Sequence, residues 1–292
     1  MRVLVVGGDG MLGHELFRAL GRTHDVRVTL RRPLSHYASL GLFGGESAYG
    51  GVDVRVRGAL DDVLARFRPE VICNAAGMIK QRPDADAVAS IEVNALFPHR
   101  LAAQAADVGA RLVHISTDCV FSGRRGGYSE DDLPDPVDLY GRAKLVGELD
   151  QEGSVTLRTS LIGLELHGRH GLVEWALSQH GRINGYRRAL FSGLTTTELA
   201  RVCGKLIAGH PDLYGVWHVA AAPISKHDLL VNLLSRLGRT DVEVVPDDTF
   251  ACDRTLRAER FNEAMNYRPP AWDTMLDELS GSIRARKAGE PC

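Results

Sequence analysis

Cysteine is sparse and dispersed in this chain: five residues, Cys73, Cys119, Cys203, Cys252 and Cys292, with no CxxC pair among them. An odd, scattered set in a chain of 292 residues argues against a disulfide scaffold, and nothing in the spacing suggests zinc. Charge of one sign is also missing. Lys and Arg number 35 against 37 Asp and Glu, a formal net charge of −2. Such a balance exerts no global pull on nucleic acid or an anionic membrane, so neither is expected as a partner. No apolar run approaches the ~20 residues that a membrane helix needs. Met1-Arg2 leads at once into a strand pattern, without the layout of a signal peptide. The expectation is a soluble, cytoplasmic protein, compatible with a homodimer. Internal repeats and low-complexity segments are absent.

What the chain has is an alternation. Hydrophobic residues make up 44% of it, enough for one large or two modest cores. Short apolar runs predict strands over 2–6, 26–30, 52–56, 71–74, 111–116 and 155–159. Between them, helical periodicity covers 11–20, 60–67, 85–108 and 138–149, with Pro98 marking a break or a second start in the third. Strands alternating with helices over ~160 residues imply an α/β fold with a doubly wound parallel sheet. Further on, a helix is expected over 196–208, a strand over 215–219 and a helix over 225–237, capped by Ser225 with Asp228 three residues later. The stretch to 270 reads as mixed, 275–283 as a last helix and 284–292 as a frayed tail. The expected division is a nucleotide-binding domain from 1–160 plus about 192–222. A smaller mixed substrate-binding domain would comprise about 161–191 plus 223–292.

Gly7, Gly10 and Gly13 follow the first strand and open the first helix, with Met11 and Leu12 inside the turn. Glycine permits a tight turn, lets backbone N–H groups approach a pyrophosphate and lets the helix sit close to the strand. The helix N-terminus adds a partial positive charge. Where an acidic residue at the end of the second strand would favour NAD, this chain has Arg31 and Arg32. Two guanidinium groups suit a 2′-phosphate, so NADPH is the expected cofactor. Asn74-Ala75-Ala76-Gly77, after a further strand, would let the backbone pass near it.

Tyr140 and Lys144 are four residues apart and share a helix face. A phenol at its ordinary pKa of ~10 is a poor acid or base at neutral pH, and a nearby ammonium, helped by the positive nicotinamide ring of an oxidised cofactor, is expected to lower that value. Ser116 and Thr117 leave the carboxyl end of a strand, where hydroxyls point into the ligand crevice of such sheets. Thr117 could donate to a substrate carbonyl while Tyr140 moves the proton, with Ser116 nearby. His167 and His170 form an HxxH pair without further ligands at persuasive spacing, and no metal is expected.

Taken together, these residues resemble the extended short-chain dehydrogenase/reductases, specifically the branch of dTDP-4-dehydrorhamnose reductase. The resemblance is carried by the Gly7–Gly13 turn, by Asn94 in Val93-Asn94-Ala95, and by the run from Ser116 to Gly123. It continues through the run from Tyr140 to Glu148 and through Leu157-Arg158-Thr159. It reaches Trp217-His218-Val219, Ile224-Ser225-Lys226 and the run from Tyr267 to Trp272. It implies a Rossmann sheet and a catalytic trio of Thr117, Tyr140 and Lys144. Asn94 and Ser116 would support the cofactor, and Asp118 and Arg254 would face the substrate. Lys80-Gln81-Arg82 is not part of the rhamnose-forming pattern and is read as a contact to a different sugar, with Lys80 as the candidate. Related 4,6-dehydratases carry Glu where Cys119 stands, which disfavours dehydration. Arg31 and Arg32 speak against an epimerase that retains NAD. The implied activity is NADPH-dependent reduction of a nucleotide-linked 4-keto-6-deoxysugar. The alternatives are an epimerase of the same superfamily and a non-catalytic NADP-binding regulatory subunit.

Overall fold

The computed structural model describes residues 1–79 and 86–288. Apolar runs bounded by glycine and polar residues become strands buried on both faces, because helices cover the sheet on each side. The strands are β1 (Arg2–Val6), β2 (Asp25–Leu30), β3 (Ala48–Gly50), β4 (Val71–Asn74), β5 (Arg111–Ile115) and β6 (Ser154–Arg158), then β7 (Leu161–Ile162), β8 (Gly181–Phe191), β9 (Leu194–Thr195), β10 (Gly215–His218), β11 (Ile224–Ser225) and β12 (Val242–Asp253). The helices are α1 (Gly13–Leu20), α2 (Asp61–Phe67), α3 (Ala87–Ile91), α4 (Phe97–Asp107), α5 (Leu139–Val146), α6 (Leu172–Ser178), α7 (Thr196–Gly209), α8 (Lys226–Arg236), α9 (Glu259–Ala264) and α10 (Trp272–Lys287).

Among the described residues, seven parallel strands form the main sheet in the order β10-β6-β5-β4-β1-β2-β3. The chain winds outward from β1 through β2 to β3, then returns to β4 and winds the other way. The reversal lies between β1 and β4, where ligands bind in such sheets. On one face α1 and α7 bury Leu16, Leu20, Leu199, Cys203 and Leu206 against the strands. On the other, α2 and α4 bury Val63, Leu64, Phe97 and Leu101. A smaller sheet, β11-β8-β12, packs with α6, α8 and α10 around Val173, Phe191, Leu229, Leu276 and Ile283.

Four expectations need correction. The third strand is Ala48–Gly50, and 52–56 is a turn. There Arg55 donates its backbone N–H (3.0 Å) and its guanidinium to the Asp53 carboxylate; this local pairing competes with a strand ladder. The stretches 181–191 and 242–253 are two long strands paired in parallel. Their sequences hid this because most of their residues are exposed, and β12 holds Pro246 and a register shift between Asp247 and Ala251. The helix expected from 85 is continuous in path but changes winding. Asp86 caps α3, Glu92–Leu96 is a π turn, and Pro98 sits in the first turn of α4. Residues 284–287 are not frayed. They complete α10, where Ile283 is buried and Arg286 binds the Glu174 carboxylate at 2.6 and 3.1 Å. The Ser225 cap is as expected, accepting from Asp228 N at 2.9 Å.

One buried ion pair ties the main sheet to the end of α5. The Arg158 guanidinium on β6 meets the Glu148 carboxylate in two bonds of 2.9 and 2.8 Å, with both side chains 7% exposed. Ser116 donates to the same carboxylate at 2.7 Å, and the guanidinium also lies 3.3 Å from His218 Nε2. Removing one partner of such a pair strands the other charge. Glu148→Gln is therefore expected to cost about 3–5 kcal/mol, read as a lowered midpoint in chemical denaturation. An unchanged midpoint would show that Arg158 finds its compensation elsewhere.

Candidate active site

The chain leaves β1 at Gly7 with φ +86°, a conformation open to glycine. A Cβ on Gly7 would lie 2.8 Å from Ala76 Cα, so the turn after β1 and the turn after β4 meet backbone to backbone. A Cβ on Gly13 would lie 2.0 Å from the Gly7 carbonyl oxygen, which seats the start of α1 directly on the turn. Met11 and Leu12 are in this turn rather than in the helix, which begins at Gly13. The result is a cavity of about 460 Å³ along the carboxyl ends of the strands. Gly7, Gly10, Met11 and Leu12 line its first wall, and Ala75, Ala76 and Gly77 its second. Gly13 and Asn74 do not line it. Asn74 is fully buried beneath, accepting from Ala76 N (3.2 Å) and lying 3.0 Å from His114 Nδ1, so it shapes the turn.

Asn94, in the π turn, lines the cavity and spends its amide on the backbone. Its Oδ1 accepts from Met78 N (3.0 Å) and its Nδ2 donates to Met78 O (2.8 Å), which holds the segment after β4 in place. Lys80 lies outside the described residues.

At one end of the cavity the two arginines part. Arg31 lines it, while Arg32 is exposed and does not. A residue that sequence reasoning missed stands behind them. Tyr37 is 2% exposed, donates its hydroxyl to the Asp9 carboxylate (2.6 Å) and accepts from Arg32 N (3.2 Å). Burial and the Asp9 bond push its pKa up to about 12. Asp53, Val54 and Arg55 also line this end. The Arg55 guanidinium holds Asp53 below the usual carboxylate range. The only signal for these residues was the short turn they form, hidden under an apolar alternation.

At the other end Ser116, Thr117, Asp118, Tyr140 and Lys144 converge on the cavity. Glycine makes this possible too. A Cβ on Gly141 would lie 2.2 Å from the Cys119 carbonyl oxygen, so the first turn of α5 rests on the turn after β5. Asp138 caps that helix by accepting from Gly141 N at 2.8 Å. Tyr140 and Thr117 are thereby brought to the same cavity wall. Lys144 is buried one turn along and donates to the Ile115 carbonyl at 2.6 Å; burial pushes it down to about 8. The Lys144 ammonium does not by itself bring the Tyr140 pKa below the ordinary phenol value, contrary to the expected direction. Burial raises Tyr140, the Cys119 side raises it further, and Thr117 offsets this only in part. Ser116 is occupied by Glu148. Asp118 is buried, accepts from the Thr117 hydroxyl (3.2 Å) and is raised by desolvation. Arg254 approaches from behind without lining the cavity. Its Nε donates to Phe121 O (2.9 Å) and its Nη1 lies 3.7 Å from Cys119 Sγ. Lys226, a residue of the quoted Ile224-Ser225-Lys226 run, is turned over the Phe191 ring at 4.0 Å and faces Asp118.

A parallel sheet with a glycine turn at its reversal point, and a Thr–Tyr–Lys group at the same strand ends, defines a Rossmann-fold protein. More closely, the chain belongs to the family described as RmlD substrate binding domain, whose profile matches residues 1–279. It is similar to methionine adenosyltransferase 2 subunit beta of Mus musculus, 33% identical over 154 residues, covering 50% of this chain and 41% of that protein. It is also similar to a dTDP-4-keto-6-deoxy-D-glucose reductase of Streptomyces niveus, 32% identical over 179 residues, 59% of this chain and 54% of that one. The aligned part thus spans about half or less of these curated relatives. Among solved structures, a dTDP-4-dehydrorhamnose reductase from Bacillus anthracis in complex with NADP superposes with a TM-score of 0.78. It is 23% identical, over 96% of this chain and 99% of that one, and it shares the fold.

Since burial lifts Tyr140 above the ordinary phenol value, its proton should stay in place through the neutral range and beyond. Ultraviolet difference titration of the protein against Tyr140→Phe checks this. No phenolate signal from Tyr140 is expected up to pH ~10; one appearing near pH 7 would contradict it.

Proposed function

We propose that this protein is a cytoplasmic, NADPH-dependent reductase of a nucleotide-linked 4-keto-6-deoxysugar. The observation that carries the reading is the convergence of Thr117, Tyr140 and buried Lys144 at the end of a cavity built on a glycine turn. The cavity wall suits a dinucleotide, because Gly7, Gly10, Ala75, Ala76 and Gly77 line it with backbone and the smallest side chains. Gly10, Met11, Leu12, Ala75, Ala76 and Gly77 would hold it, with Arg31 toward its 2′-phosphate. When bound, NADPH supplies hydride to the carbonyl carbon. Thr117 orients the carbonyl oxygen. Tyr140 passes its phenolic proton to that oxygen as negative charge develops, and solvent restores the proton. A raised pKa suits this direction of transfer, since the phenol must be protonated at the start and an alkoxide is far more basic. Lys144 supplies a nearby ammonium for the resulting phenolate and the cofactor ribose. Asp118 and Arg254 are assigned to the sugar side, and the substrate would be gripped by the part comprising about 161–191 and 223–292. The Streptomyces relative and the NADP-bound Bacillus structure support this reading.

A second reading, an NADP-binding regulatory subunit, has the methionine adenosyltransferase relatives behind it. It predicts nucleotide binding without turnover on any keto sugar, and it leaves the Thr117–Tyr140–Lys144 arrangement without a task.

Tyr140→Phe is expected to lower kcat by about 10²–10⁴-fold, the usual worth of a general acid, on a panel of dTDP-, GDP-, UDP- and CDP-linked 4-keto-6-deoxysugars. NADPH binding should change little. Retained turnover would remove Tyr140 from the mechanism. Arg31→Ala should raise the KM for NADPH about tenfold or more, as loss of a charge-assisted contact does, whereas Arg32→Ala should leave it nearly unchanged. Equal effects would place both guanidinium groups on the cofactor.

A further inference from the structure

The segment between β7 and α6 also reaches the glycine-turn cavity, where Glu165, His167, His170 and Gly171 line it. It is held from behind. The Glu165 carboxylate accepts from Gly171 N (2.5 Å) and His170 N (3.2 Å), and Glu165 N donates to the Glu174 carboxylate (3.1 Å). Arg286 of α10 binds both the Glu174 carboxylate (2.6 Å) and the Glu165 carbonyl (3.3 Å). In front, a Cβ on Gly171 would lie 2.7 Å from Met11 Cε, so the segment rests on the turn after β1. The His167 ring lies 5.6 Å from Tyr37 and 5.5 Å from His36, at the Arg31 end.

The backbone is thus fastened, while the two imidazoles are exposed at the cavity wall with no side-chain hydrogen bond among the described residues. Two carboxylates that line the same cavity are already engaged, Asp9 by Tyr37 and Glu165 by two amides. Imidazole N–H groups left facing a dinucleotide-sized cavity are donors for an anion. Among the described residues no group of His, Cys, Asp and Glu is arranged to hold a metal ion.

We propose that His167 and His170 are phosphate ligands of the dinucleotide. His167 takes the 2′-phosphate together with Arg31, and His170 reaches the pyrophosphate over Met11. The HxxH spacing puts the two donors at separate phosphates because the segment runs along the cavity from Tyr37 to Met11. This rests on the dinucleotide reading of the cavity.

Fluorescence titration with NADPH and with NADH, without substrate, tests it on the whole chain. His167→Gln should weaken NADPH binding about tenfold and NADH binding less than twofold, the selectivity that a 2′-phosphate contact imposes. His170→Gln should weaken both about equally, by roughly three- to tenfold, since both dinucleotides carry the pyrophosphate. His167→Asn and His170→Asn replace any Gln variant whose melting temperature falls. Wild-type affinity for both dinucleotides in these variants would overturn the proposal, as would an equal loss of NADPH and NADH with His167→Gln. If the wild-type protein binds neither dinucleotide, the reading of the cavity itself fails, which is a distinct result.

Discussion

Two backbone turns meet between β1 and β4 with no space for a side chain, and the rest of the site is arranged around that contact. Gly7 lies against Ala76, and Gly13 lies against Gly7. Any Cβ there would push α1 away from the strand ends and open the cavity floor. Glycine is thus required by contact as much as by φ. The same device recurs at the reaction end. Gly141 rests on the Cys119 carbonyl, and Gly147 on the carbonyl of Asn94 in the π turn. Helix α5 is gripped at both ends, which fixes Tyr140 beside Thr117 and Lys144 beneath them.

Burial then sets the electrostatics. Arg158 and Glu148 are buried as a pair and also hold Ser116, so that hydroxyl anchors the end of β5 at the cavity wall. Lys144 is buried, donates to the Ile115 carbonyl and is pushed toward its neutral form. Tyr140 keeps its proton more firmly than a free phenol does. Loss of solvation outweighs the attraction of a neighbouring ammonium when that ammonium is turned to a carbonyl. The arrangement suits a group that gives up a proton only when strong negative charge develops beside it.

Much of the main sheet was legible from the order of residues. Buried parallel strands are short apolar runs, and β1, β4, β5 and β6 are of that kind. The third strand was not legible, because Ala48-Tyr49-Gly50 has little strand character while the turn at 52–56 alternates like a strand. Strands β8 and β12 were hidden for a different reason. Each lies mostly on the surface, and each is recognised by its pairing with a segment some 60 residues away. At the site, the glycine turn, Thr117, Tyr140 and Lys144 declared themselves by spacing and position. Tyr37, Asp53 and Arg55 did not, since their place depends on how the turns after β2 and β3 fold back.

Residue order alone determined the α/β alternation, the glycine turn and the four-residue separation of phenol and ammonium, because each is a local matter of sterics and periodicity. Tertiary structure decided which of these groups share a cavity. It separated Arg31 from Arg32, put Asn74 and Ser116 to structural use and brought His167 and His170 across to the turn after β1. It also reversed the sign of the Tyr140 shift, since desolvation depends on everything packed around a group and cannot be read from its neighbours in sequence.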